Sequence, residues 1–272
     1  MEAQELIKYI KSLGVEVNTT TKARGYQGFY MRRRIDISRN VTPDRIIPTL
    51  IHEFAHYIHS QIEPRMEKNG GSLEILFDDV DVSIYAEELQ LVTNIVDKNS
   101  TCYKLEEHKS IIRNKIQDYE NIIKVTYPAF QRSKDFKEFD RYIKKSDARY
   151  LLKYDRVKLL KGFLFKKYVI LSTDNIEKDF EDMPKEFAAY IRLKSCQKRQ
   201  ARVSARINKA KKYYSKPTEL FARFVEGLYV CPEKVQHTAP NTYKRFFELL
   251  YSGYYKNDLP KFIEKFYSPV NL

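Results

Sequence analysis

The chain has 272 residues, which fits one large domain or one domain with a sizeable insertion. Hydrophobic residues make up 43%, enough for a buried core. No apolar run reaches the roughly 20 residues needed to cross a bilayer, so no membrane-spanning helix is predicted. Lys and Arg outnumber Asp and Glu by 49 to 36, a formal net charge of +13. A surface this basic draws an acidic partner or nucleic acid without choosing between them.

The three cysteines, Cys102, Cys196 and Cys231, are widely spaced and form no CxxC pair. They suggest neither a disulfide framework nor a thiolate zinc site, and they agree with a reducing compartment. The start, Met1 to Leu6, is acidic and then amphipathic, unlike a signal peptide. A cytoplasmic location is therefore expected.

Leu6, Ile7, Ile10 and Leu13 recur at helical spacing and predict a helix over 2–13. Short strands follow at 15–17, 28–31 and 34–37, the last with Ile35 and Ile37 alternating with polar neighbours. Thr42-Pro43-Asp44 reads as a helix start, with Thr42 as N-cap and Pro43 in the first turn. That helix is expected to run to Gln61, with Pro48 as a candidate kink. Asn69-Gly70-Gly71-Ser72 is a turn, and 83–98 is a helix. The charged, Tyr-rich stretch 103–180 is read as helical. A long basic helix runs from Pro184 to about Lys212. Further helices are predicted at 217–230, 241–252 and 259–267. The domain reading is a core over 1–100, a helical insertion over 101–183, and a C-terminal helical part over 184–272.

The helix from Pro43 carries His52-Glu53-Phe54-Ala55-His56, an HExxH motif. Zinc needs neutral imidazoles or anionic groups converging on one point about 2 Å away. On a helix, residues four apart share a face, so His52 and His56 can share an ion. Glu53, next around the helix, can reach a metal-bound water without taking a coordination position and act as general base. Leu50, Ile51, Phe54, Ala55 and Ile58 supply the apolar face that a buried helix requires.

The run from Thr49 to His59 resembles the active-site helix of zincin metallopeptidases. It is nearest to ImmA/IrrE-type enzymes and to zincin domains of phage and mobile-element proteins. The resemblance is strong over 28–60 and 184–230. It implies an α+β zincin-like fold, mostly helical with a small sheet and a helical insertion. It also implies one Zn2+ ion, and hydrolysis of a peptide bond in a protein or peptide substrate bound along an edge strand, here within Tyr30 to Ser38. A catalytic zinc keeps three protein ligands and one open position. His59 is too far along the helix from His52, a rise of about 10 Å, to share an ion with it. It is left as a histidine behind the ligands, facing substrate, or on the surface.

Two carboxylates compete for the third ligand. Glu219, in Pro217-Thr218-Glu219-Leu220-Phe221-Ala222-Arg223, resembles the second signature of several phage-associated zincins, whose helix supplies a glutamate ligand. Glu88, in Glu87-Glu88-Leu89, resembles a ligand helix of other zincins. Glu219 is favoured because its match is fuller, giving a gluzincin-like set of His52, His56 and Glu219 with Glu53 as base. The chain departs from the family where an acidic residue normally follows four after the ligand. Arg223 stands there, and it is expected to pair with a carboxylate such as Glu226 or to bind substrate. Tyr213 and Tyr214 lie near the proposed ligand; a packing role is the leading reading for them, with oxyanion stabilisation as the alternative.

The basic stretch from Arg192 to Lys212 is read as spread around its helix, chiefly a solvated surface. The rival reading is a zincin-derived nucleic-acid-binding or antirestriction-like protein that uses this surface.

Overall fold

The structure is a computed structural model and describes residues 2–22, 25–97, 101–129, 133–161, 167–181, 183–256 and 258–267. It divides into two compact units, one of residues 1–100 with 211–272 and one of residues 101–210. The class is mixed α and β, mostly helical with two small sheets.

The first unit opens with α1 (Ala3–Ser12), which buries Leu6 and Ile10. Strands β1 (Glu16–Thr21), β2 (Gly28–Met31) and β3 (Arg34–Ser38) form a sheet in the order β1-β3-β2. β1 runs parallel to β3 and β2 antiparallel to it. β3 is therefore the central strand, paired on both sides. The edge expected within Tyr30 to Ser38 is confined to β2, because a strand with two neighbours has no free main chain. Ile35 and Ile37 are both buried, but Asp36 and Ser38 are buried as well, so this central strand is covered on both faces and not half-buried as the alternation predicts. The turn between β2 and β3 places Arg32 at φ 48° and Arg33 at φ 63°, the left-handed pair of a tight hairpin, without glycine.

Helix α2 (Pro43–Ile62) follows. Its N-cap is Thr42, extended as a cap should be, although its hydroxyl makes no capping bond. The short helices α3 (Met66–Asn69) and α4 (Leu73–Phe77) flank the Gly70-Gly71 turn, and α5 (Ser83–Val96) comes next. The chain then enters the second unit. That unit holds α6 (Thr101–Thr126), α7 (Lys134–Lys145), the antiparallel hairpin of β4 (Arg156–Lys161) and β5 (Lys167–Ser172), α8 (Ile176–Asp179), and α9 (Lys185–Tyr214) as far as Ala210. The first unit is completed by α10 (Pro217–Val230), α11 (Pro232–Thr238), α12 (Pro240–Tyr251) and α13 (Leu259–Phe266).

Two expectations need correction. The middle region is not all helix. Val157, Leu159, Val169 and Leu171 alternate with period two, and the hairpin they form packs that face onto the second unit's core. The break at residue 184 also shifts, because α9 packs within the second unit. Ala188, Ala189, Tyr190, Ile191 and Leu193 join Phe136, Phe139 and Ile143 in one cluster, and Cys196, Val203 and Ile207 join Leu105 and Ile112 of α6 in another.

The first unit's core places the site. Leu50, Ile51 and Phe54 of α2 and Phe221 and Phe224 of α10 are fully buried in one cluster. Gly227 lets α10 approach α5 and α11, since a Cβ there would stand 2.8 Å from Val235 Cγ2 and 3.0 Å from Val96 Cγ2. A methyl group at that distance forces the packed helices apart. Gly227→Ala is therefore expected to lower stability by about 1–3 kcal/mol, read from chemical unfolding.

Candidate metal centre

Helix α2 contributes two of the three converging side chains and helix α10 the third. Their apolar faces fix them in one core, and that packing brings three polar side chains together. His52 and His56 stand one turn apart, with ring centroids separated by 4.9 Å. Glu219 enters from the first turn of α10, with Oε2 at 3.5 Å from His52 Nε2 and Oε1 at 3.5 Å from His56 Nε2. One ligand atom from each residue lies within 4.8 Å of those of the others. Atoms bound tetrahedrally at zinc distances lie roughly 3.4 Å apart. Glu219 Oε2 is buried and makes no hydrogen bond, since its contact with His52 is a charge contact only. A carboxylate oxygen in that condition is costly unless a cation answers it. The donor set and its spacing therefore fit a metal ion.

A second carboxylate stands behind the histidine. Glu226 is fully buried and its Oε2 lies 3.2 Å from His52 Nδ1. That contact leaves Nε2 turned toward Glu219. A carboxylate on the far nitrogen fixes the ring and its tautomer, as ligating histidines require. Arg223 donates to Glu226 Oε2 at 2.8 Å and Arg45 to Oε1 at 3.0 Å. Arg223 also reaches Asp97 at 3.4 Å. The expected pairing of Arg223 with Glu226 is present. The role left vacant four residues after Glu219 is filled seven residues after it, two helical turns on and on the same buried face.

Glu53 is buried beside the pair. A Cβ on Gly28 would meet Glu53 Oε1 at 3.0 Å, so the absence of a side chain there lets β2 pass over the carboxylate. Ser38 N–H donates to Gln27 O, which makes alternate residue pairs of the β2–β3 ladder the bonded ones. Gly28 and Tyr30 thus turn their main-chain groups outward, where the Tyr30 main chain slightly favours the charged form of Glu53. Burial pushes the Glu53 carboxyl up to about 7, with Glu219 adding to the rise and His52 opposing it.

The charges of the site follow from its carboxylates. Burial and Arg223 depress His52, but Glu219, Glu226 and Glu53 together outweigh them and raise it to about 9. Burial and the charge of His52 take His56 down to about 3. Burial favours a neutral Glu219, yet His52, His56 and Tyr213 hold it down to about 2. Burial works on Glu226 likewise, and His52, Arg223 and Arg45 lower it below the ordinary range. The cluster thus concentrates negative charge and keeps one imidazolium against it.

The remaining candidates are placed as follows. Tyr213 faces Glu219, and burial together with that carboxylate raises its pKa. Tyr214 turns away and donates to Asp97 at 3.3 Å. Glu88 accepts from the N–H and side chain of both Asn241 and Thr242 at 2.7–3.2 Å, and so caps the first turn of α12. Its oxygens are fully engaged, which removes it as a metal ligand. His59 is not a surface histidine. It is completely buried, near Glu63 Oε2 at 3.4 Å and the Phe221 ring at 5.7 Å. Gly71 lies so close that a Cβ there would stand 2.6 Å from the imidazole.

No protein-family profile, curated protein or solved structure matches this chain. The site therefore rests on its own geometry. Glu226 was the residue hardest to find from sequence. The usable signal was a second glutamate among Phe224, Val225 and Leu228, on the buried face already carrying Glu219.

Glu226→Ala strips Arg45 and Arg223 of their shared carboxylate inside the core. It is expected to cost about 3 kcal/mol or more in urea unfolding. Glu88 gives a pH test. Its hydrogen bonds to the start of α12 outweigh burial and lower its pKa, so its stabilisation is present above the unfolded carboxyl value and is lost as pH falls through the folded one. Glu88→Gln is expected to flatten the acid limb of the stability–pH curve, measured by thermal melts from neutral pH downward.

Proposed function

We propose that this chain is a zinc-dependent metallopeptidase of the zincin type, gluzincin-like, that hydrolyses a peptide bond in a protein substrate. The observation that carries the reading is the convergence of His52, His56 and Glu219, with an unbonded Glu219 oxygen, beside a buried Glu53. His52, His56 and Glu219 would hold the ion. When bound, zinc supplies Lewis-acid polarisation of a carbonyl and a lowered pKa for water.

This chain's own groups do the rest. The Tyr30 main chain slightly favours the charged form of Glu53. Glu53 takes the proton of the attacking water on a carboxylate oxygen and passes it to the leaving amine. Glu226 holds the His52 ring, and Arg45 and Arg223 hold Glu226. The Tyr213 hydroxyl, on the Glu219 side, is available to an oxyanion. The outward main chain of β2 at Gly28 and Tyr30 offers an edge along which an extended peptide can add. The resemblance suggests a setting in phage or mobile-element conflict, or cleavage of a regulator, and a cytoplasmic place of action. Among the described residues no helix is long and apolar enough to cross a membrane.

A scaffold kept only for binding has no use for a base at position 53. Glu53→Gln is expected to retain zinc while cleavage of a denatured-protein or peptide-library substrate falls by about 10²-fold or more, followed by mass spectrometry of the products. Equal cleavage by both proteins removes Glu53 from the chemistry. No cleavage by either zinc-loaded protein favours the binding-only rival.

A further inference from the structure

The excess positive charge is not shared between the two units. Residues 101–210 hold 27 Lys and Arg against 15 Asp and Glu, a net +12. The unit that carries the metal site holds 22 against 21, a net +1. Between Glu186 and Glu219 the sequence has no acidic residue. A charge segregated this sharply marks a surface for a polyanion rather than a general aid to solubility.

The structure also sorts the cations of α9, which the sequence alone left scattered around the helix. Arg192 is bidentate to Glu177 at 2.5 and 2.7 Å, and Arg199 is bound to Asp155 at 2.7 Å. These two are held against the unit's own surface. Lys198, Arg202, Arg206 and Lys209 are exposed and form no ion pair with any described carboxylate. At 3.6 residues per turn these four share about 80° of arc over a rise of roughly 16 Å. The opposite face buries Cys196, Val203 and Ile207. The result is an unneutralised cationic stripe, with successive charges about 6 Å apart along the axis for i, i+4 steps.

Exposed aromatic rings lie beside these and neighbouring cations. Tyr154 is 54% exposed, with the Arg202 guanidinium 5.9 Å from its ring centre. Arg202 is further fixed by donating to the Lys153 carbonyl at 3.2 Å. On the outward face of the β4–β5 hairpin, Tyr168 is 57% exposed with Lys158 Nζ 3.8 Å from its ring centre. An acidic protein would use the charges and leave these rings idle. A nucleic acid uses both, phosphates on the cations and base faces on the rings. Base faces are accessible in single strands and hidden in duplexes.

We propose that the second unit binds single-stranded nucleic acid, with Lys198, Arg202, Arg206 and Lys209 holding phosphates and Tyr154 stacking on a base. The proposal does not depend on the metal site, and its test reads binding alone.

The test is fluorescence anisotropy of the full chain with a labelled oligothymidylate of about 20 nucleotides, titrated over a range of salt concentrations. Wild type is expected to bind at about 50 mM salt, with affinity falling steeply as salt rises. Lys198→Gln/Arg202→Gln/Arg206→Gln is expected to reduce the slope of log affinity against log salt by about 2, one phosphate contact per side chain removed. Tyr154→Ala is expected to weaken binding about tenfold with the slope unchanged. Lys244→Gln/Lys261→Gln, on the near-neutral unit, is expected to change nothing. All four positions changed in the test variants are exposed, and circular dichroism melts matching wild type establish that the variants fold. The proposal is overturned if wild type fails to bind, if the triple variant binds as wild type does, or if the control variant loses as much. It is also overturned if duplex binds as tightly and Tyr154→Ala has no effect, or if polyglutamate displaces the label as well as unlabelled oligonucleotide does.

Discussion

A carboxylate with no exposure to water must be answered by positive charge from within the protein, and Glu226 meets that demand three times over. Arg45 reaches it from the first turn of α2, Arg223 from its own helix, and His52 from the motif. These contacts tie α2 to α10 at the level where His52, His56 and Glu219 stand. They also fix which nitrogen of His52 faces Glu219. Without Glu226, Arg45 would lose its carboxylate, Arg223 would keep only Asp97, and the histidine would be free to turn. The order of the site is thus set by ion pairing behind it, while the apolar faces of the two helices supply the holding energy.

The same packing explains the surplus of negative charge at the front. Glu53 and Glu219 are both buried against the two histidines, and one Glu219 oxygen has no hydrogen bond. A protein that folds around such an arrangement gives up stability unless a ligand restores it. The proton on His52 partly plays that part. A divalent cation between the three ligands would play it fully. Gly28 ties the sheet to the same site, because a residue without a side chain lets β2 cross Glu53 this closely.

Much of this was legible in the sequence because its signals are local. Pro43 and Pro217 mark helix starts, the four-residue spacing of His52 and His56 places them on one face, and Leu220, Phe221 and Phe224 declare which side of α10 is buried. Glu219 could be chosen over Glu88 by motif, but the physical reason became visible only in three dimensions. Glu88 spends its oxygens on the start of α12, more than 150 residues away in sequence. The pairing of Glu226 with Arg223 is legible, but its contacts with His52 and Arg45 and the burial of His59 are not, for the same reason. Their partners, Arg45 in one case and the Gly71 turn in the other, come from other elements, and no periodicity announces them. The β4–β5 hairpin was lost because its alternating residues lie in a stretch dense with lysine and aromatic residues, which also fits a helical pattern. The division of charge between the units needed the contacts of α9 before it could be drawn.

The most direct test of the account is elemental analysis of the purified protein beside its His56→Ala, Glu219→Ala and Glu88→Ala variants, each confirmed as folded. About one zinc per chain is expected in the wild type and in Glu88→Ala, with zinc lost from the other two. Zinc absent from the wild type even when supplied, or retained by Glu219→Ala, would contradict the metal centre described for α2 and α10.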